Sequence, residues 1–342
     1  MKKSLLATAV AAAMVLSTSA VFAATADPSP VTIDGSATIQ YRNNTNDADA
    51  TAPKKPNKTT IILNFNNDLG NGWDAYARAS IQSSTRQIAD FNTSTYSNDY
   101  AASLDQFGFK YTNGDNQLKI GRQSAWVGET GLFYDTTGKV GRKIMADGLT
   151  YTGKADAWSY KVVAVQENVD YGALKNGTVI GDSKNKLYVG HVNYNFTPDF
   201  VLGTTFAKYN LDKKASYQGS ADAKDSNLWA VNTAYTLGNA TFSAEYGKTN
   251  YDINNKAYDF GIAYNFDEKN SISATYFKVE DNGDINHYTT FDPNAKGMYY
   301  SFTHKFNKAT SLNFFYDDAK YITGTDADKN YTSFRTTLNY NF

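Results

Sequence analysis

The stretch YTSFRTTLNYNF, residues 331–342, alternates along its length. Phe334, Leu338, Tyr340 and Phe342 share one parity, while Ser333, Arg335, Thr337, Asn339 and Asn341 share the other. A strand sends successive side chains to opposite faces, so this segment has an apolar face and a polar face. In a water-soluble sheet the apolar face would cover a core. In a membrane barrel it faces lipid, and the polar face lines a wet lumen. The rest of the chain decides between the two.

Residues 1–23 read as a leader for Sec-type export, removed to leave 24–342. Lys2 and Lys3 start it, an apolar run of Ala, Leu and Val follows, and Val21-Phe22-Ala23 supplies the small residues of a cleavage site. Ala24-Thr25-Ala26 offers a second site of the same kind. No cysteine occurs, which excludes disulfides, thiolate metal sites, a Cys nucleophile and a lipid-anchored N-terminus. No later run is long and apolar enough for a membrane helix. Without Lys2 and Lys3, 31 basic residues face 34 acidic ones, a net charge near −3 that argues against nucleic-acid binding. The chain holds 26 Tyr and 20 Phe, yet its mean hydropathy is −0.52. Many aromatics on a polar chain suit strands that are wet on one face, and suit a soluble core less well.

The pattern of 331–342 repeats. About sixteen alternating segments are predicted, roughly one per 19 residues, near the length of a tilted membrane strand plus its connection. They cover 31–42, 59–66, 73–82, 104–112, 116–123, 148–152, 158–166, 186–196, 200–208, 227–236, 240–248, 257–266, 271–279, 297–306, 311–318 and 331–342. Connections alternate in length. Short ones such as 113–115, 197–199 and 237–239 separate long ones at 43–58, 83–103, 124–147, 167–185, 210–226, 280–296 and 319–330. The predicted fold is all-β: a transmembrane, antiparallel, up-and-down barrel with tight turns at one end and long loops at the other. Aromatics near the segment ends fit the two belts at the head groups of outer-membrane lipid.

Most candidate chemistry fails. His191, His287 and His304 have no zinc-like spacing. Ser301 and His304 have opposite parity and cannot form a hydrolase dyad. The run from Asp326 to Asn330 starts like a calcium loop but lacks its Gly and Glu, leaving at most weak loop binding. No cofactor or metal site is expected. What survives is the lumen. Parity places Arg42, Arg78, Lys119, Lys161 and Arg335 on the polar faces, with Asp34, Asp74, Glu245 and Asp259 as counter-charges. A dry core could not hold so many charges, whereas a water-filled barrel can.

Residues 124–147 are the predicted constriction. Trp126, Leu132 and Phe133 are too apolar for a solvated loop, so this third loop is expected to fold into the lumen against the wall. There Glu129 and Asp135 would face Arg42, Arg78 and Arg122, and the resulting field would orient solutes. The alternative is an ordinary exposed loop with its own small apolar cluster.

The segment resembles the third loop of general Gram-negative porins, where a Gly-Arg-Gln-like strand end, here Gly121-Arg122-Gln123, precedes an inward acidic loop. The resemblance implies a sixteen-stranded trimeric diffusion porin, with Arg122 at the constriction. Simple parity instead groups Arg122 with Leu118 and Ile120, on the lipid face. Tyr340 and Phe342 resemble the C-terminal signal read by barrel-assembly machinery. The expected function is therefore a non-enzymatic outer-membrane channel for ions and small solutes. An adhesive surface barrel whose loops bind a partner is the alternative, and an outer-membrane lipase a more distant one.

Overall fold

The computed structural model describes residues 31–48, 54–84, 100–167, 174–175, 178–179, 184–212 and 224–342. The expected leader and parts of the first, second, fourth and fifth long loops lie outside these residues.

Sixteen antiparallel strands close into one barrel. Numbering only the barrel strands, they are β1 (Thr32–Asn46), β2 (Asn57–Gly70), β3 (Trp73–Ser84), β4 (Tyr100–Asn113), β5 (Asn116–Gln123), β6 (Ala146–Ala155), β7 (Trp158–Glu167) and β8 (Lys186–Thr197). The second half holds β9 (Phe200–Asn210), β10 (Ser226–Leu237), β11 (Ala240–Thr249), β12 (Lys256–Asn265), β13 (Asn270–Val279), β14 (Ala295–Lys305), β15 (Thr310–Tyr321) and β16 (Asn330–Asn341). Every strand pairs with its sequence neighbours, and β1 pairs with β16 to close the ring. The closing register runs from Ser36 opposite Asn341 to Asn46 opposite Tyr331. Phe342 and Gly35 then exchange two backbone hydrogen bonds, of 2.9 and 3.1 Å. Gly35 lacks a side chain where one would lie 2.9 Å from the Phe342 ring.

All sixteen predicted segments are strands. Several run further toward the long loops than predicted: β1 gains Asn43-Asn44-Thr45-Asn46, which carries no apolar signal, and β4 gains Tyr100-Ala101-Ala102-Ser103. The outer face carries the apolar parity: Ile39, Leu104, Phe109, Phe206, Trp229, Phe260 and Leu338 are all exposed. Membrane barrels show this reversal because lipid, not a core, covers that face.

The inside has two halves of different character. Along β16, β1, β2 and β3 it is a polar mesh: Gln40 bonds Thr337 at 3.0 Å, Asn64 bonds Asp34 at 2.7 Å, Ser333 bonds Asn44 at 2.8 Å and Gln82 bonds Thr60 at 3.1 Å. Along β7 to β13, toward the long-loop end, it is apolar and forms the wall of a buried core within the barrel.

Candidate functional site

The apolar half of the wall is a seat for L3, residues 124–145, between β5 and β6. Within L3, Trp126–Val127 pairs with Tyr134–Asp135 as a miniature hairpin. Val127, Leu132, Phe133 and Tyr134 are fully buried. They share one core with Val163 and Val165 of β7, Leu187 and Val189 of β8, and Leu228 and Ala230 of β10. Burying each of Val127, Leu132 and Phe133 contributes about 1.5–3 kcal/mol. The Phe133 ring fills the space above Gly247 of β11, where a Cβ would come within 2.8 Å of Phe133 Cε1.

Polar side chains hold L3 at both ends. On one wall, Arg78 of β3 grips Asp105 of β4 with two bonds, of 2.7 and 3.0 Å, and donates to the Lys139 carbonyl at 3.0 Å. Asp105 also accepts from the Ser80 hydroxyl at 2.6 Å and the Gly141 amide at 2.8 Å. A bulge between Arg78 and Ala79 pairs them with Gln106 and Leu104, so Asp105 is the extra residue and turns inward. On the other wall, Glu245 of β11 accepts the backbone N–H groups of Glu129 and Thr130, each at 2.9 Å. The Thr130 hydroxyl lies 2.7 Å from Glu245 and 2.8 Å from Asp259 of β12. Strands β3 and β11 stand eight places apart in a ring of sixteen, so L3 spans the barrel from wall to opposite wall.

A second loop, within the long connection predicted at 280–296, also turns inward. Residues 280–294 bond to L3 edge to edge. Ile285 N–H donates to the Phe133 carbonyl at 2.7 Å, Thr290 N–H to the Gly131 carbonyl at 3.1 Å, and Asp135 N–H to the Tyr288 carbonyl. The Thr290 hydroxyl bonds Asp135 at 2.7 Å. Ile285 and Phe291 are buried in the shared core. Glu167, buried at the long-loop end of β7, ties both loops to the wall. It accepts from Tyr134 of L3 at 2.7 Å, from Asn286 of the second loop at 3.4 Å, from Tyr209 at 2.5 Å and from Asn185 at 3.2 Å.

The expected constriction residues separate into groups. Glu129 is half-exposed at the far end of L3, with its carboxylate 3.1 Å from His191 Nε2 and 3.1 Å from Asn193 Nδ2. The His191 hydrogen bond, with that of Asn193, holds the Glu129 carboxyl below the usual range. Asp135 is capped by Thr137 and Thr290. Arg42 and Arg335 face each other directly across the β1–β16 seam. Arg335 lies 3.6 Å from Asp317 and over the Phe315 ring. Lys119 donates to Gln106 at 3.1 Å and sits over the Tyr76 ring.

Two expectations need correction. Lys161 is buried beneath L3, with its ammonium 3.7 Å from the centre of the Trp126 ring, and does not face the open lumen. Arg122 keeps simple parity. Gly121, at φ +129°, distorts the backbone, but the pairing of Lys119 with Lys110 and of Arg122 with Phe107 stays in step. Arg122 therefore lies on the outer wall, over the exposed Phe107 ring and 2.8 Å from Asp147.

The second loop carries a pH prediction. His287 lies 3.2 Å from the buried Asp284 carboxylate, which, with Asp281, raises its pKa above the ordinary value of 6.5. A raised pKa means that the charged form is favoured in the folded loop. The stabilisation is complete below the ordinary value and is lost as pH rises through the raised one. Protease nicking within 280–294 is expected to increase as pH is raised past neutrality, and to become flat with pH in His287→Gln. Nicking that ignores pH in the unaltered protein would refute this.

The sequence pattern of the Gram-negative porin family matches residues 7–323. No curated protein matches this chain. Among solved structures, the trimer form of OmpT, an outer-membrane protein of Vibrio cholerae, is similar at a TM-score of 0.57 and 15% identity, covering 92% of this chain and all of its own. An anion-selective porin from Comamonas acidovorans is similar at 0.56 and 15%, covering 92% of this chain and 99% of its own. A mutant of the Rh. blastica porin gives 0.57 and 9%, covering 92% and 100%. Such identities show the fold alone. The match to the family pattern extends over nearly the whole chain and agrees with the closed sixteen-stranded barrel, so this chain belongs to the Gram-negative porin family and is an outer-membrane porin.

Proposed function

We propose that the barrel is a passive diffusion channel for ions and small hydrophilic solutes, and not an enzyme. The observation that carries this reading is L3, fixed to opposite walls by Asp105 and Glu245. A barrel of sixteen strands is wide enough for an aqueous passage. A loop across its middle narrows that passage to the polar arc of β16, β1, β2 and β3. There Arg42 and Arg335 face the lumen on one side, while Glu129 lies exposed on L3 on the other. Separated charges of this kind orient dipolar solutes and set ion preference. A homotrimer fits this reading, since the similar Vibrio cholerae protein is described in a trimer form. Recognition of the strand ending at Phe342 by barrel-assembly machinery is proposed with it.

In planar bilayers the purified protein is expected to give stepwise conductance. Correctly folded protein without conductance would reject the channel. Replacing Arg42 and Arg335 by Gln is expected to move the reversal potential in a salt gradient toward cation preference. An unmoved potential would remove this pair from the passage.

A further inference from the structure

The carboxylate that L3 offers to the passage is moored on one side only. Both wall donors to Glu129, His191 Nε2 and Asn193 Nδ2, meet the same oxygen, Oε2, each at 3.1 Å. Among the described residues Oε1 has no partner, and half of the side chain is exposed. One oxygen is tied to the wall and the other is left for a passing solute.

The mooring is itself held. Asn193 Oδ1 accepts from Asn232 of β10 at 3.0 Å. Strand β9 runs between them, and its Gly203 stands opposite both in register. A Cβ at Gly203 would collide with Asn193 Oδ1, so the two amides meet across a position that only glycine leaves open. His191 is buried, and its Nδ1 lies 2.8 Å from the hydroxyl of the fully buried Thr205. A carboxylate only accepts, so Nε2 carries the hydrogen shared with Glu129. Nδ1 is then the position open to a proton. It accepts from the Thr205 hydroxyl while the ring is neutral, and donates to the same oxygen once the ring is charged. Glu129 keeps its bond to Nε2 in both states.

Charged groups face this ring from two elements. L3 brings Glu129. Strand β7 brings Lys161, directly opposite His191, with its ammonium turned under the Trp126 ring. Strand β9 brings only the neutral Thr205. Farther along the wall, Glu245 of β11 holds the Glu129 backbone amide. Protonation of His191 therefore adds one positive charge 3.1 Å from the carboxylate that faces the passage, and seen from a solute the two charges cancel.

We propose that His191 is a positioning residue that also sets the ion preference: it aims Glu129 at the passage, and its protonation cancels the Glu129 charge and moves the channel toward anions. The inference rests on the channel reading. Histidine is the side chain that gains charge between about pH 8 and pH 5. Glu129, held below the usual carboxylate range, stays ionised there. Arg42 and Arg335 keep their charge throughout, so acidification changes the field on the L3 side of the passage alone.

The test is the reversal potential of the full barrel in a potassium chloride gradient, read from about pH 8 down to about pH 5.5. The cation-to-anion permeability ratio is expected to fall by roughly twofold or more on acidification. His191→Gln, always neutral, is expected to hold the alkaline value at every pH, and His191→Arg, always charged, the acidic value. A residue that only supports the wall would shift both variants the same way. His287, in the loop 280–294, and His304, on the outer face of β14, are intact in both variants. A fall that survives in His191→Gln would overturn the proposal, and so would a ratio that ignores pH in the unaltered protein. Nitrogen-labelled imidazole spectra of the unaltered barrel in detergent read the proton without current. Nε2–H at every pH and a proton gained at Nδ1 are expected, and a neutral ring carrying its hydrogen on Nδ1 would overturn the assignment. Folded protein without conductance rejects the channel itself, whereas a conducting barrel indifferent to His191 rejects this inference alone.

Discussion

Replacing residues 126–144 with a short glycine–serine linker is expected to raise single-channel conductance by a factor of roughly two or more, since current follows the open cross-section of a wet pore. The physical reason is where L3 sits. Its core residues Leu132 and Phe133 are packed against inward side chains of β7 to β10, and its far turn is held by Glu245. The barrel wall does not depend on L3 for its pairing, because β5 and β6 are joined directly from Gln117 opposite Thr152 to Gln123 opposite Ala146. The linker variant should therefore still form a closed barrel. Its cost is exposure of the apolar seat at Val163, Leu187 and Leu228, which would face water instead of L3. Unchanged conductance in a folded linker variant would show that L3 does not narrow the passage.

The second large effect is expected from Glu245→Ala. One buried carboxylate accepts two backbone N–H groups and meets the Thr130 hydroxyl. Removing it leaves two donors without acceptors, at about 1–3 kcal/mol for each group left unsatisfied. The wall bonds of β11 are unaffected, so the loss falls on L3. Hydrogen exchange at the Glu129 and Thr130 amides is expected to speed up by on the order of a hundredfold, the equivalent of about 2.7 kcal/mol. Single-channel records should gain brief open-level fluctuations. Glu245→Gln keeps one acceptor oxygen and should fall between the two. If Ala and Gln variants exchange at the unaltered rate, the carboxylate is not what holds the loop. Gly247→Val tests the same region by volume: the added carbons collide with the Phe133 ring, and loosening of L3 without loss of the barrel is expected.

The barrel was legible because its signal is local. Period-two alternation and the alternation of short and long connections need no knowledge of distant contacts. The segment 200–208 shows where this stops. Polarity does not tell its two faces apart, because Phe206 points outward while Ala207, and Tyr209 just beyond the segment, point inward to the loop core. A wall that receives a loop is apolar on both faces and no longer alternates. The inward fold expected for L3 rested on Trp126, Leu132 and Phe133. The same criterion applied to Ile285, Tyr288 and Phe291 would have found the second inward loop. For Arg122 the family resemblance and the parity of its own strand disagree, and the side chain follows parity, onto the outer wall over Phe107. The partnerships of Glu245 with Thr130, and of Glu167 with Tyr134 and Asn286, join residues more than 30 positions apart. Nothing in local pattern announces them.

The seat of L3 also imposes an order in time. Residues 124–145 emerge from β5, but Leu187, Leu228, Glu245, Asp259 and Ile285, against which they settle, all come later in the chain. The loop cannot reach its resting place until strands through β13 stand in the wall. Such distant contacts form late. L3 is therefore a latch thrown late in assembly, and burial of its apolar tip reports a wall built at least through β13.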